Sequence, residues 1–261
     1  MKTPFFTIGI PTYEMAGKGV LFLSELLDTI NEQIFRDFEV IISDHSIDNE
    51  IEKFIKLKDF DFNITYLKKT LNNRNPPSNI NNIIKHSKGK YIKFVFQDDL
   101  LNGSSSLDIL AKKINEHEGS EWFVSGCLHL KNENLINPMV PYFNKNIHLG
   151  INTISSPSVL TIRNSVNLLR FNETYIWLLD CIYYKDCFSN FGKPVVINSP
   201  LVINRLSKNQ LTNKLEESKK FIEIIRSINY YEKNIFKYLL FLKYSLIFCR
   251  NVLTAKLRQN A

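Results

Sequence analysis

At 261 residues, with 44% hydrophobic and 23% charged residues and a formal net charge of +7, the chain suits a globular protein with one substantial core. The positive charge is local: residues 201–261 hold 12 Lys and Arg against 4 Asp and Glu, which excludes a uniformly basic nucleic-acid binder. Cys127, Cys181, Cys187 and Cys249 stand apart, with no CxxC pair and no zinc-type spacing, so reduced thiols are expected.

Residues 5–10, FFTIGI, read as a first strand ended by Pro11, and the apolar run is too short for a secretory signal. A cytoplasmic location is expected on that ground. Val20, Leu23, Leu26, Leu27, Ile30 and Ile34 recur at helical spacing over residues 19–34. Residues 38–43, FEVIIS, form a second apolar, β-branched run that ends at Asp44. A helix over 47–57 and a short strand over 64–67 follow. Residues 72–79, NNRNPPSN, are dense in turn formers; a helix over 80–86 and a strand over 91–96 come next. This alternation predicts an α/β fold with a mainly parallel sheet flanked by helices. Beyond it, the pattern predicts a helix over 105–117 and a strand over 121–127. Residues 130–158, rich in Asn, Pro and Ser, read as a flexible loop over a site. An extended run over 157–162, a helix over 176–188 and a β-type run over 194–203 precede a helix-forming, basic and apolar tail.

Three apolar strands end in polar clusters: Pro11-Thr12-Tyr13-Glu14, Ser43-Asp44-His45-Ser46 and Gln97-Asp98-Asp99. In a parallel sheet such ends share one edge, where ligands collect. Adjacent carboxylates such as Asp98 and Asp99 repel each other unless a cation, water or a donor takes up the charge. With Arg74 in a fourth polar turn, the set suits a nucleotide or polyanion.

In order and spacing, IPTYE (10–14), IISDHSID (41–48), NRNPPSNIN (73–81), KGKYI (88–92) and FVFQDD (94–99) resemble the inverting GT-A enzymes of glycosyltransferase family 2. The resemblance covers roughly the first hundred residues. It departs from the family pattern at Phe96, where the first acid of D-x-D-D stands, at Ser43, and at Asn75 in place of a turn glycine. The resemblance implies a Rossmann-like GT-A catalytic domain over 1–212, with a nucleotide-sugar half (1–100) and an acceptor half (101–212), and a helical tail over 213–261. It places Pro11, Thr12, Tyr13 and Glu14 in the nucleotide pocket, Asp44 on the base and Arg74 in the turn closing over it. Asp99 is the main metal-ligand candidate, with Asp98 on the ribose or in the metal shell. The implied cofactor is a divalent cation, Mn2+ or Mg2+, which offsets charge on a diphosphate leaving group.

Asp180 lies among Trp177, Leu178, Leu179, Ile182 and Tyr183, where burial of a carboxylate is costly without partners. It reads as the general base, or else as an acid capping a turn or paired with Arg163; Trp177 suits either core packing or sugar stacking. NRLSKNQLT (204–212) resembles a family R-x-H-x-x-Q-x-T/S element, with Ser207 at the His position, and Arg205 is expected on the diphosphate. The implied activity is metal-dependent transfer of a hexosyl or N-acetylhexosaminyl group from a nucleotide-sugar, UDP-linked, to a glycan or polyprenyl-linked acceptor in bacterial surface polysaccharide synthesis. An inactive sugar- or nucleotide-binding GT-A protein and a sugar nucleotidyltransferase are the alternatives. GxGxxG is absent after the first strand, against a dehydrogenase. Residues 235–253 mix apolar and aromatic residues with Lys237, Lys243 and Arg250. They read as an interfacial helix at the inner face of the plasma membrane, or as a helix packed on the catalytic domain or in a homodimer.

Overall fold

The computed structural model describes residues 2–68, 75–206 and 215–259. Nine strands form one sheet in the order β3-β2-β1-β4-β8-β6-β9-β5, with β7 added on β6. The first four, β1 (Phe6–Thr12), β2 (Phe38–Asp44), β3 (Ile64–Lys68) and β4 (Tyr91–Phe94), pair in parallel, as the strand–helix alternation predicts. Beyond β4 the sheet is mixed: β8 (Leu160–Arg163) pairs antiparallel with both β4 and β6 (Trp122–Lys131). β9 (Val195–Arg205) runs parallel to β6, and β5 (Leu100–Leu101) closes the row antiparallel to β9.

Strand β1 runs through Pro11 rather than stopping before it, and the ladder explains why. Pairing with β4 ends at Gly9–Phe94, while pairing with β2 continues through Pro11–Ser43 to Thr12–Asp44. The Gly9 carbonyl accepts from Val95 on the β4 side, and alternation aims the Pro11 nitrogen the same way, past the end of that ladder. The missing N–H therefore removes no strand bond. Gly9 itself is required by packing, since a Cβ there would lie 2.5 Å from Ile83.

The helices of the parallel half are α1 (Gly19–Asn31), α2 (Glu50–Leu57), α3 (Pro76–His86) and α4 (Ser106–Glu116). α3 begins earlier than the turn-rich sequence predicts. Its two prolines occupy the first turn, where a missing N–H is harmless, and the Asn75 side chain caps it by accepting from Ser78 N–H at 3.4 Å. The sheet's two faces carry separate cores. Phe6, Ile8, Ile10, Leu23, Leu27, Val40 and Leu107 pack on one; Ile80, Phe94, Trp122, Phe171, Tyr183 and Tyr184 pack on the other.

Residues 130–158 are more ordered than a loop. β6 continues to Lys131 and turns back through β7 (Asn134–Met139) as a hairpin, and short 3-10 turns follow at Ile147–Leu149 and Pro157–Val159. α5 (Leu179–Phe191) carries the acid of the second half. The tail forms α6 (Glu217–Tyr231) and α7 (Phe236–Gln259), and Ile224, Ile228 and Tyr244 join the second core. No helix among the described residues is long and apolar enough to cross a membrane.

Candidate active site

The C-terminal ends of β1, β2 and β4 lie side by side, as expected. Asp44, at the end of β2, is wholly buried. Its Oδ1 accepts from the Ser46 amide (2.8 Å), the Ser46 hydroxyl (2.5 Å) and Thr12 Oγ1 (3.4 Å). Its Oδ2 accepts from the Tyr66 hydroxyl (2.6 Å) and Lys68 Nζ (3.1 Å). Burial pushes the carboxyl up, but the bonds from Ser46, Tyr66 and Lys68 outweigh it and hold Asp44 below its usual range. Ser43, at the position of a family acid, accepts instead from the Asn82 amide at 2.8 Å.

The β1 end is tied to β4 by a residue that the motif leaves unassigned. Gln97 is buried; its carbonyl accepts from Tyr13 N–H at 2.9 Å, and its amide donates to the Gly19 carbonyl at 2.6 Å. Thr12 is buried, with its carbonyl accepting from His45 N–H and the Asn79 side chain. Pro11 and Glu14 are half-buried, and Tyr13 is 43% exposed, its hydroxyl pushed up by burial and then by Asp98 and Glu14. The turn that follows is strained: Met15 and Ala16 both have positive φ, 46° and 54°. A Cβ on Gly19 would lie 2.6 Å from the Tyr13 carbonyl.

Asp98 and Asp99 differ in their surroundings. Asp99 is buried and committed: Oδ2 accepts from Ser158 Oγ (2.5 Å) and Ser156 Oγ (3.2 Å), and Oδ1 from Arg205 N–H (3.0 Å). Burial and the neighbouring Asp98 nevertheless push its carboxyl up. Lys93 lies beneath, fully buried, its Nζ bonded to the Ser158 carbonyl, and burial pulls its ammonium down to about 7. Asp98 is half-buried, and the groups that bear on its carboxylate among the described residues are its own backbone amide and the nearby Arg205 charge. Burial raises Asp98, with Arg205 offsetting part of the rise. The Arg205 side chain donates to the Asp98 carbonyl (2.9 Å) and to Glu25 (2.6 Å), and its guanidinium lies 4.8 Å from the Phe22 ring centre.

Asp180 sits in the first turn of α5. Its Oδ1 accepts from Cys181 N–H (2.7 Å) and its Oδ2 from the Asn152 amide (2.7 Å). Burial pushes the carboxyl up to about 6, with the Cys181 and Asn152 bonds opposing the rise. Arg163 pairs with Glu121, not with Asp180. Trp177 is half-buried and packs near Gly150, where a Cβ would approach its ring to 2.8 Å.

Residues 152–158, NTISSPS, join the two acidic centres. Asn152 donates to Asp180 and to the Ser155 carbonyl. Ser155 Oγ accepts from the Asn204 amide at 2.7 Å, and Ser156 Oγ bridges Asn204 and Asp99. Ser155 has φ 97°, a strained value for a serine. Hydrogen bonds thus run from Asp180 through Asn152, Ser155, Asn204 and Ser156 to Asp99. In the sequence these residues read as the end of the Asn-, Pro- and Ser-rich stretch over 130–158 and the start of an extended run; the excess of short polar side chains there is the available signal. Arg74, Ser207, Lys208, Gln210 and Thr212 lie outside the described residues.

The donor set bears on a cation. No group of three or more His, Cys, Asp or Glu able to hold a metal occurs among the described residues. One or two carboxylates at a strand end suit a hard divalent ion that takes its remaining ligands from phosphate oxygens and water. The residues fit an ion that arrives with a diphosphate.

Residues 7–125 match the family model described as glycosyl transferase family 2. The chain carries a family 2 glycosyltransferase domain. Two curated relatives match part of the chain. GalNAc(5)-diNAcBac-PP-undecaprenol beta-1,3-glucosyltransferase of Campylobacter jejuni is 28% identical over 134 residues, 51% of this chain and 41% of that protein. Poly(ribitol-phosphate) beta-glucosyltransferase of Bacillus spizizenii is 33% identical over 104 residues, 39% of this chain and 16% of that protein. The chain thus matches less than half the length of either relative. Among solved structures, S. aureus TarS 1–349 in complex with UDP-GlcNAc aligns with TM-score 0.66 and 18% identity over 92% of this chain and 71% of that one. The mannosyltransferase PcManGT from Pyrobaculum calidifontis, in complex with GDP-Man and Mn2+, aligns with TM-score 0.60 and 14% identity over 95% and 70%. Around the family 2 domain, the fold is GT-A.

Proposed function

We propose that the protein is an inverting glycosyltransferase that moves a hexosyl or N-acetylhexosaminyl group from a UDP-sugar to a hydroxyl of a glycan or polyprenyl-linked acceptor. The observation that carries this reading is the hydrogen-bonded path from the β4 acids to Asp180, a carboxylate raised to about 6 within reach of the same loop. Such a group is ionised at neutral pH yet basic enough to take a proton.

Asp44, Thr12 and Tyr13 form the base and ribose side, with the base N–H exchanging for one of the donors that now fill Asp44. Asp98 is the principal cation ligand, because Asp99 is already bound by two serines and a backbone amide. Asp99 positions Asp98 through that anchoring, and Arg205 adds positive charge beside it. A bound divalent cation supplies charge compensation at the diphosphate. Asp180 removes the proton of the acceptor hydroxyl, whose oxygen bonds to the anomeric carbon from the face opposite the diphosphate. The anomeric carbon–oxygen bond breaks, its electron pair leaves with UDP, and configuration inverts. Trp177 borders the acceptor.

The tail supports peripheral contact with the inner face of an anionic membrane, where a polyprenyl-linked acceptor resides. Leu239, Leu242 and Leu246 are exposed along α7 and Ile235 just before it, with Lys243 and Arg250 nearby and no acid after Glu232. Calorimetric titration with UDP, with and without manganese, tests the donor site; manganese-dependent binding is expected, and no binding in either condition overturns the reading. Flotation with anionic vesicles tests the tail, and self-association without vesicle binding would reassign those residues to a homodimer.

A further inference from the structure

One acid of α6 faces inward. Glu223 is 7% exposed, and its carboxylate accepts from three successive backbone amides. Ile176 N–H donates to Oε1 at 2.8 Å; Trp177 N–H reaches Oε1 at 3.2 Å and Oε2 at 3.0 Å; Leu178 N–H donates to Oε2 at 2.9 Å. These residues lead directly into α5, whose second residue is Asp180.

The first amides of a helix lack partners within it, and a Ser, Thr, Asp or Asn usually caps them. Here the cap position is Leu178, which makes no side-chain cap. A carboxylate from a helix some 45 residues later takes the Leu178 amide and the two amides before it, while within the first turn the Cys181 amide goes to Asp180 itself. Arg226, three positions along α6, holds the same segment from the other polarity: its Nη1 donates to the Thr174 carbonyl at 2.5 Å, and its guanidinium lies 5.7 Å from the Tyr175 ring centre. Segment 174–178 is therefore gripped by both its amides and its carbonyls. An apolar side chain at 223 would fill the space but leave the amides unpaired.

We infer that Glu223 is a positioning residue for the acceptor side, setting where Trp177 sits and how the first turn of α5 presents Asp180. The inference rests on the proposed glycosyl transfer with Asp180 as base. It assigns to the helical tail a part in the reaction geometry in addition to core packing.

The test compares Glu223→Gln and Glu223→Asp with Ser227→Ala. Ser227 lies one turn further on α6, is buried, and donates to the His148 carbonyl at 2.6 Å, so its loss controls for damage to the helix alone. Hydrogen exchange over residues 174–179 needs no turnover; in Glu223→Gln, whose amide keeps only one accepting oxygen, exchange at 176–178 is expected to rise roughly 10-fold or more. UDP affinity stays within about twofold, because the donor residues are untouched. kcat falls about 10- to 100-fold, the loss expected when a reacting group is held about 1 Å out of place. Glu223→Asp, with the charge kept and the reach shortened, falls between and serves if the Gln variant does not fold. Ser227→Ala lowers stability but leaves kcat and exchange at 176–178 as in wild type. Unchanged exchange in both Glu223 variants, or fast exchange with wild-type kcat, overturns the inference. A wild-type protein that binds UDP but transfers no sugar, with fast exchange in Glu223→Gln, instead overturns the role of Asp180 and leaves the clamp without a catalytic consequence.

Discussion

Asp44 and Asp180 are both carboxylates at the start or end of a regular element, and they are held in opposite ways. Asp44 gathers bonds from Ser46, Thr12, Tyr66 and Lys68 and is drawn below its usual range despite complete burial. Asp180 is met by the Cys181 amide and thiol and by Asn152, uncharged donors all, and burial takes it up to about 6. Burial alone therefore does not decide the basicity of an acid; the number and charge of its donors does. In the proposed reaction the donor end of the cleft would thus be furnished with fixed charge, the acceptor end with a carboxylate that can exchange a proton.

The largest effect expected from breaking this contrast is at Asp180. Asp180→Asn keeps the size and the Asn152 contact region but removes the base, and turnover is expected to fall by about 10² to 10⁴. UDP binding measured by calorimetry stays at the wild-type value. Comparable turnover in this variant would remove Asp180 from the chemistry.

The two neighbouring acids on the donor side come next. Asp98→Asn is expected to weaken manganese-dependent UDP binding roughly 10- to 100-fold, the range for losing one charged ligand. Asp99→Asn should act first on stability, by about 1–3 kcal/mol in urea unfolding, since it disturbs Ser156, Ser158 and the Arg205 amide together. The reverse pattern, with Asp99→Asn abolishing cation-dependent binding in a stable protein, would return the principal ligand to Asp99.

How much of this was legible in sequence follows from how each part is built. The parallel half is made of local patterns: apolar runs that stop in Thr12-Tyr13, Asp44 and Asp98-Asp99 give both the strands and their polar ends. Asp180 stood out because a carboxylate interrupts an apolar stretch. The α3 start was misplaced because Pro76-Pro77 serves a first helical turn as well as a loop. Residues 130–158 hid a hairpin and the bridging loop because Asn and Ser report local turns, not their distant partners. Gln97 reaches Tyr13 across 84 positions, Ser156 reaches Asp99 across 57, and Glu223 reaches Leu178 across 45. Side-chain bonds of that span leave no periodicity to read.

A smaller, graded effect sharpens the contrast without mutation. A carboxyl raised to about 6 is mostly protonated one unit lower, so kcat at saturating donor and acceptor should fall about tenfold between its plateau and pH 5. The sign is that of a base: activity is lost as pH falls. A kcat that is flat from pH 8 to pH 5 would place the working base elsewhere.

The smallest expected effect concerns Asp44 and is the most specific to its mode of holding. Tyr66→Phe removes the 2.6 Å bond to Oδ2 while keeping the ring, and about 1–2 kcal/mol of stability is expected to go at pH 7. Because the folded pKa of Asp44 is depressed, its contribution is present above the unfolded pKa and fades as pH falls through the lower folded value. Tyr66 bonds the ionised form, so its loss moves the folded pKa back up, and the gap between variant and wild type should narrow as Asp44 protonates. Urea unfolding at pH 7 and near pH 3 reads this directly. An equal gap at both values would mean that Tyr66 contributes by packing alone, and that Lys68 and Ser46 are sufficient to hold the Asp44 charge.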